Sequence, residues 1–282
     1  MAFIRSMVLR NYRRFRGEIE LPFSGGIDIV QVPKGMGKSS IAEAAAWCLV
    51  GGMPDSEVMN AEGKEVGEDT LVALTFADAE RTVLERSIGQ TPGVGLNERT
   101  AVRPDGVFDH LREELFPAAC IDSNIISGST LGRVMQGERS GGERAVERMR
   151  GWSEGDALLR SSMEATSLYL AMVDEPSASC LLFDRRGRPA VQCDGTPIIG
   201  PAEHHAVVLA SALAFARESC PGVPVILDEP FKGLAGNEAA RASEAVAVFM
   251  EGRQLIVLLS DVAEIDALHA TGKVGKELEI KG

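Results

Sequence analysis

Two segments of the chain, far apart in sequence, carry residues suited to phosphate chemistry. The first, residues 32–40, reads VPKGMGKSS and lies between an apolar run and a helix-like stretch. A phosphate-binding loop has this order of strand, glycine loop and helix. The second, residues 225–230, reads VILDEP, a short apolar strand that ends in two carboxylates. Together they predict the two halves of one nucleotide site.

Each residue of the first segment has a chemical task in this hypothesis. Gly35 and Gly37 allow backbone N–H groups to turn toward phosphate oxygens, and Lys38 can reach the β- and γ-phosphates. The Ser39 hydroxyl can bind Mg²⁺. The predicted nucleotide contacts in this loop are Lys34, Gly35, Met36, Gly37, Lys38, Ser39 and Ser40.

The second segment supplies the acidic groups. Asp228 would complete the Mg²⁺ site with Ser39, and Glu229 would polarise the attacking water, with Lys38 assisting catalysis. The predicted cofactors are therefore ATP and Mg²⁺. Because both oxygens must approach one ion, we expect the side chains of Ser39 and Asp228 to lie within roughly 3–5 Å of each other.

The loop departs from the full phosphate-loop pattern at its first position, where Val32 stands in place of glycine. An alternative interpretation is therefore an ordinary turn between a strand and a helix. The acidic strand at 225–230 favours the nucleotide site over that alternative.

Composition limits the classes of function. The chain has 282 residues, of which 45% are hydrophobic, enough for a large core and against disorder. A net charge of −12 excludes a general basic surface for DNA, so any DNA contact would be local or come through a partner. The densest basic stretch comprises Arg10, Arg13, Arg14 and Arg16, which is either a solvated strand edge or a phosphate contact.

The cysteines and histidines give no metal or disulfide pattern. The five cysteines are scattered, odd in number and without a C-x-x-C pair, which argues against both zinc and disulfides. His204 and His205 are adjacent at the start of an apolar helix, so capping or packing is expected rather than one shared metal.

There is no apolar run of membrane-spanning length, and the polar N-terminal residues do not form a signal peptide. We therefore expect a cytoplasmic protein without membrane contact.

The periodicity predicts an α/β chain in two lobes. Residues 1–122 form an N-terminal lobe with an antiparallel β region and the phosphate loop, and 156–282 form a C-terminal lobe with the acidic strand. The irregular stretch 123–155 connects them within one bilobal domain. The segment 89–104 is predicted to be a loop. Predicted strands cover 3–9, 17–21, 27–32, 71–76, 81–87, 179–183, 189–193 and 254–259, and predicted helices 40–50, 107–115, 156–173, 203–217 and 237–250.

The motifs and their order resemble the split ATPase heads of the SMC/RecF/RecN group within the ABC-type ATPases. The likeness rests on NYRRF at 11–15, the glycine loop, and LDEPF at 227–231, and it spans nearly the whole chain. A narrower likeness, to the Dnd-type ATPase subunit of DNA phosphorothioation systems, rests on 11–17 and 254–260. The resemblance implies a P-loop fold with a mixed sheet and flanking helices, and it implies that Arg13 approaches the nucleotide phosphates.

Several family features are altered here. Where the family places its Leu-Ser-Gly-Gly signature, residues 199–204 read IGPAEH, and a closer literal match at 140–144 lies in the connector without a following apolar helix. The family's histidine after the last strand is replaced within 259–261 by Leu-Ser-Asp. Asn124 and Gln136 are weak candidates for the glutamine that senses Mg²⁺. The long coiled coil between the lobes is missing.

These observations leave alternatives open. The resemblance favours an ATP-hydrolysing head in a DNA-linked assembly for repair, modification or defence, whereas the degenerate signature favours a nucleotide-gated interaction module with little turnover. A small-molecule phosphotransferase is a more distant alternative. In either of the first two cases we expect a protein partner to supply the complementary surface, DNA to be reached through the complex, and the homodimer to be weak or absent.

Overall fold

A computed structural model describes residues 3–90, 92–97, 99–101, 106–117, 120–126, 154–174, 176, 180–183, 189–191, 201–234 and 236–281. The fold is α/β, as predicted. The strands are β1 Ile4–Arg10, β2 Glu18–Pro22, β3 Ile27–Gln31, β4 Thr70–Phe76, β5 Val83–Ile88, β6 Gly93–Leu96, β7 Arg99–Ala101, β8 Ile125–Ile126, β9 Leu181–Phe183, β10 Pro189–Val191, β11 Val225–Asp228, β12 Leu255–Leu259 and β13 Val274–Glu279.

Helices flank these strands. They are α1 Lys38–Val50, α2 Asp55–Val58, α3 Ala61–Glu65, α4 Gly106–Leu115, α5 Ile121–Asn124, α6 Glu154–Met172, α7 Pro201–Ser219, α8 Asn237–Phe249 and α9 Val262–Ala270. None of the helices within the described ranges combines the length and the apolar character needed to cross a membrane.

An antiparallel sheet is built from the N-terminal third of the chain, in the order β2-β1-β4-β5-β6-β7. The predicted hairpin is present as β4 and β5, with Thr70 opposite Ile88 and Thr75 opposite Val83. The loop predicted for 89–104 is wrong in part, because β6 and β7 extend the sheet there. These two strands are short and rich in glycine and polar residues, so they lack the apolar alternation that marks a half-buried strand.

A parallel sheet carries the two predicted halves of the site, in the order β13-β3-β12-β11-β8. All four residues of β11 and all five of β12 are buried. Strands covered on both faces are expected to be continuously apolar, as β12 and the first three residues of β11 are. Alternate residues enter two different cores: Leu227 packs with α6, α7 and α8, while Ile226 packs with α1 and the antiparallel sheet.

The two lobes share this sheet. β3 belongs to the N-terminal lobe, yet it pairs with β12 on one side and β13 on the other. A second link joins β1 to the start of β12: the buried amide of Gln254 accepts from the N–H of Ile4 and donates to its carbonyl, both at 2.7 Å. The lobes therefore fold as one body around β3.

The expectation of no disulfide is wrong. Cys120 and Cys220 form a disulfide across 100 residues of sequence, with Cα atoms 6.0 Å apart. Cys120 precedes α5 and Cys220 follows α7, and these two helices pack together. Sequence spacing carries no information about that contact. Cys48 is a buried free thiol.

Besides β6 and β7, six elements that the sequence patterns did not reveal complete the fold: α2, α3, α5, α9, β8 and β13. Most of the predicted connector 123–155 lies outside the described residues, as do Gln136 and the literal signature match at 140–144. The lobe boundaries at 122 and 156 thus remain predictions.

Candidate functional site

The glycine loop runs from the end of β3 to the start of α1. Gly35 has a φ of 82° and Gly37 a φ of 93°, backbone conformations that favour glycine. A Cβ at Gly37 would also lie 3.3 Å from Cζ of Phe15. Lys34, Gly35 and Met36 are exposed, whereas the Ser40 side chain is buried and its N–H donates to the carbonyl of Gly37. Among the predicted nucleotide contacts, Ser40 is therefore the residue whose side chain is buried instead of exposed on the loop.

Val32 explains the departure from the loop pattern. Its side chain is fully buried, and its N–H donates to the carbonyl of Leu259 at 2.8 Å. The residue thus continues the pairing of β3 with β12 rather than opening the loop. A buried apolar side chain serves this position, and the glycine conformations begin only at Gly35.

The predicted metal ligands converge. Ser39, in the first turn of α1, donates a hydrogen bond of 2.6 Å from Oγ to Oδ2 of Asp228, at the end of β11. Asp228 is only 2% exposed. Hydroxyl and carboxylate oxygens are the ligand types that Mg²⁺ binds beside nucleotide phosphates. This pair of oxygens therefore fits a Mg²⁺ ion.

Glu229 follows Asp228 and is held by three side chains. Its backbone is left-handed, with φ of 49°, a conformation uncommon for a residue with a side chain. Oε1 lies 2.7 Å from Nζ of Lys38 and accepts from Oγ of Ser260 at 2.8 Å. Oε2 lies 2.9 Å from Nζ of Lys232. The carboxylate is thus tied to the phosphate loop, to the end of β12 and to its own turn.

These contacts determine the charge of Glu229. Burial alone would raise its pKa, but hydrogen bonds from Lys38, Lys232 and Ser260 outweigh burial and lower the pKa to about 2. Glu229 is therefore ionised at neutral pH. Ser260 stands where the resemblance leads one to expect histidine, and it contacts the same carboxylate.

A second carboxyl group, that of Glu264, interacts electrostatically with Glu229. Glu264, in the first turn of α9, is 9% exposed. Burial, together with the negative charges of Asp261 and Glu229, raises the pKa of Glu264 to about 7. The sequence patterns did not single out Ser260, Lys232 or Glu264. The feature that could have identified all three is their place in the sequence, because each follows the carboxyl end of β11 or β12.

The two neighbouring arginines of the basic turn, Arg13 and Arg14, make different contacts. Nη1 of Arg13 pairs with Glu43 of α1, and its Nε donates to the carbonyl of Glu57 at 3.1 Å. Arg14 instead donates from Nη1 to the carbonyl of Gly35 in the phosphate loop. The structure therefore brings Arg14 to the loop, while the predicted contact residue Arg13 binds α1 and α2.

Asn124 and His205 contact backbone carbonyls rather than the glycine loop. Asn124 is fully buried and donates to the carbonyls of Val223 and Pro224, before β11 begins. The carboxylates lie at the opposite end of that strand, so Asn124 is not placed to reach Ser39 and Asp228. His205 contacts the carbonyl of Pro230 through Nε2, which agrees with a packing role. α7 begins at Pro201, a position where proline is tolerated because the first N–H of a helix has no partner within it.

Solved structures share this fold over almost the whole chain. An SMC head bound to the C-winged helix domain of ScpA matches with a TM-score of 0.76 and 15% identity, covering 99% of this chain and 95% of the other. The chain has the fold of an SMC head domain. The SMC head of Thermotoga maritima matches with a TM-score of 0.63 and 17% identity, covering 99% of this chain and 94% of its own.

A third SMC head carries an extended coiled coil and is bound to the C-terminal domain of ScpA from Pyrococcus furiosus. It matches with a TM-score of 0.62 and 14% identity, covering 95% of this chain and 92% of that one. No protein-family profile matches the chain. No curated protein matches it either. At these identities the likeness establishes the SMC-head fold, and the chemistry has to be argued from the residues of this chain.

Proposed function

We propose that the chain is an ATP-binding SMC/RecF-like head that hydrolyses ATP to ADP and phosphate. The observation that carries the proposal is the convergence of four side chains at one edge of the parallel sheet: Lys38, Ser39, Asp228 and Glu229. An ordinary turn between a strand and a helix has no reason to meet two carboxylates that lie some 190 residues further along the chain.

The roles of these residues follow from their positions. The N–H groups around Gly35 and Gly37 and the ammonium of Lys38 would bind the phosphates. Ser39 and Asp228 would hold Mg²⁺, which neutralises charge on the phosphate oxygens when bound. Glu229 would orient a water whose oxygen attacks the γ-phosphorus as the bond to the β-phosphate oxygen breaks. The proton of that water passes to the carboxylate and then to the released phosphate.

The alternative is a nucleotide-gated interaction module with little turnover. Its support is that Glu229 already holds a cation on each carboxylate oxygen and that Ser260 replaces the expected histidine. The altered residues at 199–204 point the same way, because a proline there removes a backbone donor.

We further propose that the head works with a different protein and reaches DNA through that assembly, in repair, modification or defence. Two of the similar SMC heads are described as bound to parts of ScpA, a protein partner. A net charge of −12 opposes direct binding to a polyanion.

The test compares the purified chain with Glu229→Gln and Lys38→Ala, with and without duplex DNA. Lys38→Ala should weaken ATP binding at least about tenfold in calorimetric titration, because a charged donor to phosphate is lost. The fold should survive, since Glu229 keeps Ser260 and Lys232. Glu229→Gln should bind ATP and lose hydrolysis.

Lys276→Ala, at an exposed lysine of β13, is the matched control and should behave as wild type. Unchanged ATP affinity in a folded Lys38→Ala variant would contradict the nucleotide site. ATP binding without turnover in the wild-type chain, with or without DNA, would favour the nucleotide-gated module.

A further inference from the structure

Lys232 lies beside the carboxylate expected to activate water. It follows Glu229 by three residues in a tight turn, where the N–H of Lys232 donates to the carbonyl of Glu229 at 3.2 Å. The turn folds the lysine back over the glutamate, so that Nζ lies 2.9 Å from Oε2. The Lys232 side chain is 71% exposed, whereas that of Lys38 is 10% exposed.

The two lysines occupy different oxygens of Glu229. Lys38 and Ser260 contact Oε1, and Lys232 contacts Oε2. A carboxylate that activates water must accept its hydrogen bond and take up its proton. Because the ammonium of Lys232 lies at hydrogen-bond distance from Oε2, that oxygen is less open to a hydrogen bond from the water.

ATP binding changes only one of these contacts. In the proposed function, Lys38 leaves Oε1 for the phosphates, because they offer it a stronger negative charge. Lys232 lies outside the glycine loop and has no such competing task among its contacts in the described chain. Glu229 would therefore enter the hydrolytic step still paired through Oε2.

We propose that Lys232 is a positioning residue that slows hydrolysis by holding the second oxygen of Glu229. This inference rests on the proposed function. A site that has the four main ATPase residues would then turn over slowly in the isolated chain. Removal of the pair should free the carboxylate for water without altering how the loop binds phosphate.

The test is Lys232→Gln, which removes the charge, compared with Lys232→Arg, which keeps it. Lys276→Gln is the matched control at an exposed lysine of β13. We expect Lys232→Gln to raise kcat about two- to fivefold, the range for losing an exposed ion pair. The Kd for ATP, measured by calorimetry in the Glu229→Gln background to prevent turnover, should change less than about twofold. Lys232→Arg and Lys276→Gln should match the wild-type chain.

Three results would overturn the inference. An unchanged or lower kcat in Lys232→Gln, with ATP binding intact, would show that the pair does not restrain Glu229. A several-fold loss of ATP affinity would make Lys232 a phosphate ligand instead. Absence of ATP binding in the wild-type chain would contradict the proposed function itself, and the inference with it, which separates that failure from the first two.

Discussion

Ser39 and Asp228 are joined by a hydrogen bond of 2.6 Å although 189 residues separate them in sequence. Ser39 starts α1 after β3, and Asp228 ends β11, with β12 lying between the two strands. Because all three strands are parallel, their carboxyl ends meet at one edge of the sheet. The sequence-based expectation that the two side chains converge is confirmed, and it places the candidate Mg²⁺ site at that edge.

Ser39→Ala should weaken ATP binding only when Mg²⁺ is present. Loss of one oxygen ligand should raise the Kd for ATP about tenfold in Mg²⁺ and leave it unchanged in EDTA. Calorimetric titration in the two buffers measures both values, with the exposed Ser167→Ala as the control. An equal loss in EDTA would assign the hydroxyl to the nucleotide rather than to the metal.

Arg14→Ala should lower ATP affinity more than Arg13→Ala does. Arg14 contacts the carbonyl of Gly35, so its loss should disturb the loop and weaken binding several-fold, about 1 kcal/mol. Arg13 pairs with Glu43, and its removal should act mainly on the free energy of unfolding. Titration and urea denaturation of both variants decide between them. The opposite ranking would support the role that the family resemblance gives to Arg13.

The Glu229→Gln variant should remain mostly monomeric with ATP and Mg²⁺. Donors are altered at 199–204, and each copy carries close to −12, so like-charge repulsion opposes self-association over about 8–10 Å. Light scattering at micromolar concentration, in low and in moderate salt, gives the mass. A stable dimer would contradict the need for a different partner.

Gln254→Ala should destabilise the whole chain. It leaves the N–H and carbonyl of the fully buried Ile4 without their side-chain partner, which should lower the free energy of unfolding by about 2–4 kcal/mol. Urea denaturation measures the change. Gln90→Ala, which removes an exposed amide that donates to Gly67, should cost less than about 1 kcal/mol. Similar losses in the two variants would show that the buried link is unimportant.

Glu264 should make stability fall as the pH rises. Its pKa in the folded chain, about 7, lies above its ordinary value of 4.5, so the folded state favours the protonated form. The penalty is absent below about pH 4.5, grows as the pH rises to about 7, and is complete above that. Relative to wild type, Glu264→Gln should gain stability across this window, as measured by denaturation at pH 5 and pH 8. A constant difference between the two pH values would contradict the shifted pKa.

The sequence predicted those parts of the fold that have a strong apolar pattern. β12 and the first three residues of β11 are continuous apolar runs, and α7 is long and apolar, so the sequence indicated strands for the former and a helix for the latter. β13 is an edge strand with four exposed residues out of six, and β8 has only two residues, so neither has a period to detect. Contacts between residues far apart in the sequence, such as the disulfide of Cys120 with Cys220, could not be predicted either.

The residues of the candidate site also fall into those that the sequence predicted and those that it did not. Lys38, Ser39, Asp228 and Glu229 were predicted because their residue types fit a known pattern at fixed spacing. The choice between Arg13 and Arg14 depends on the local backbone, since both Asn11 and Arg13 adopt positive φ. Ser260 and Glu264 act through proximity to Glu229, which only the assembled sheet creates, whereas Lys232 reaches Glu229 through the turn that they share.

The position of β3 governs when the chain can fold during synthesis. β3 leaves the ribosome early, but its neighbour β12 spans residues 255–259, so the pairing waits for more than 220 further residues to be made. At about 5–20 residues per second, that delay is on the order of 10–45 seconds. During this time the apolar faces of β3 and α1 lack their final cover, and the antiparallel sheet is the unit that can form first. The phosphate loop therefore gains its shape only once β12 has been made, and the nascent chain should depend on chaperones until then.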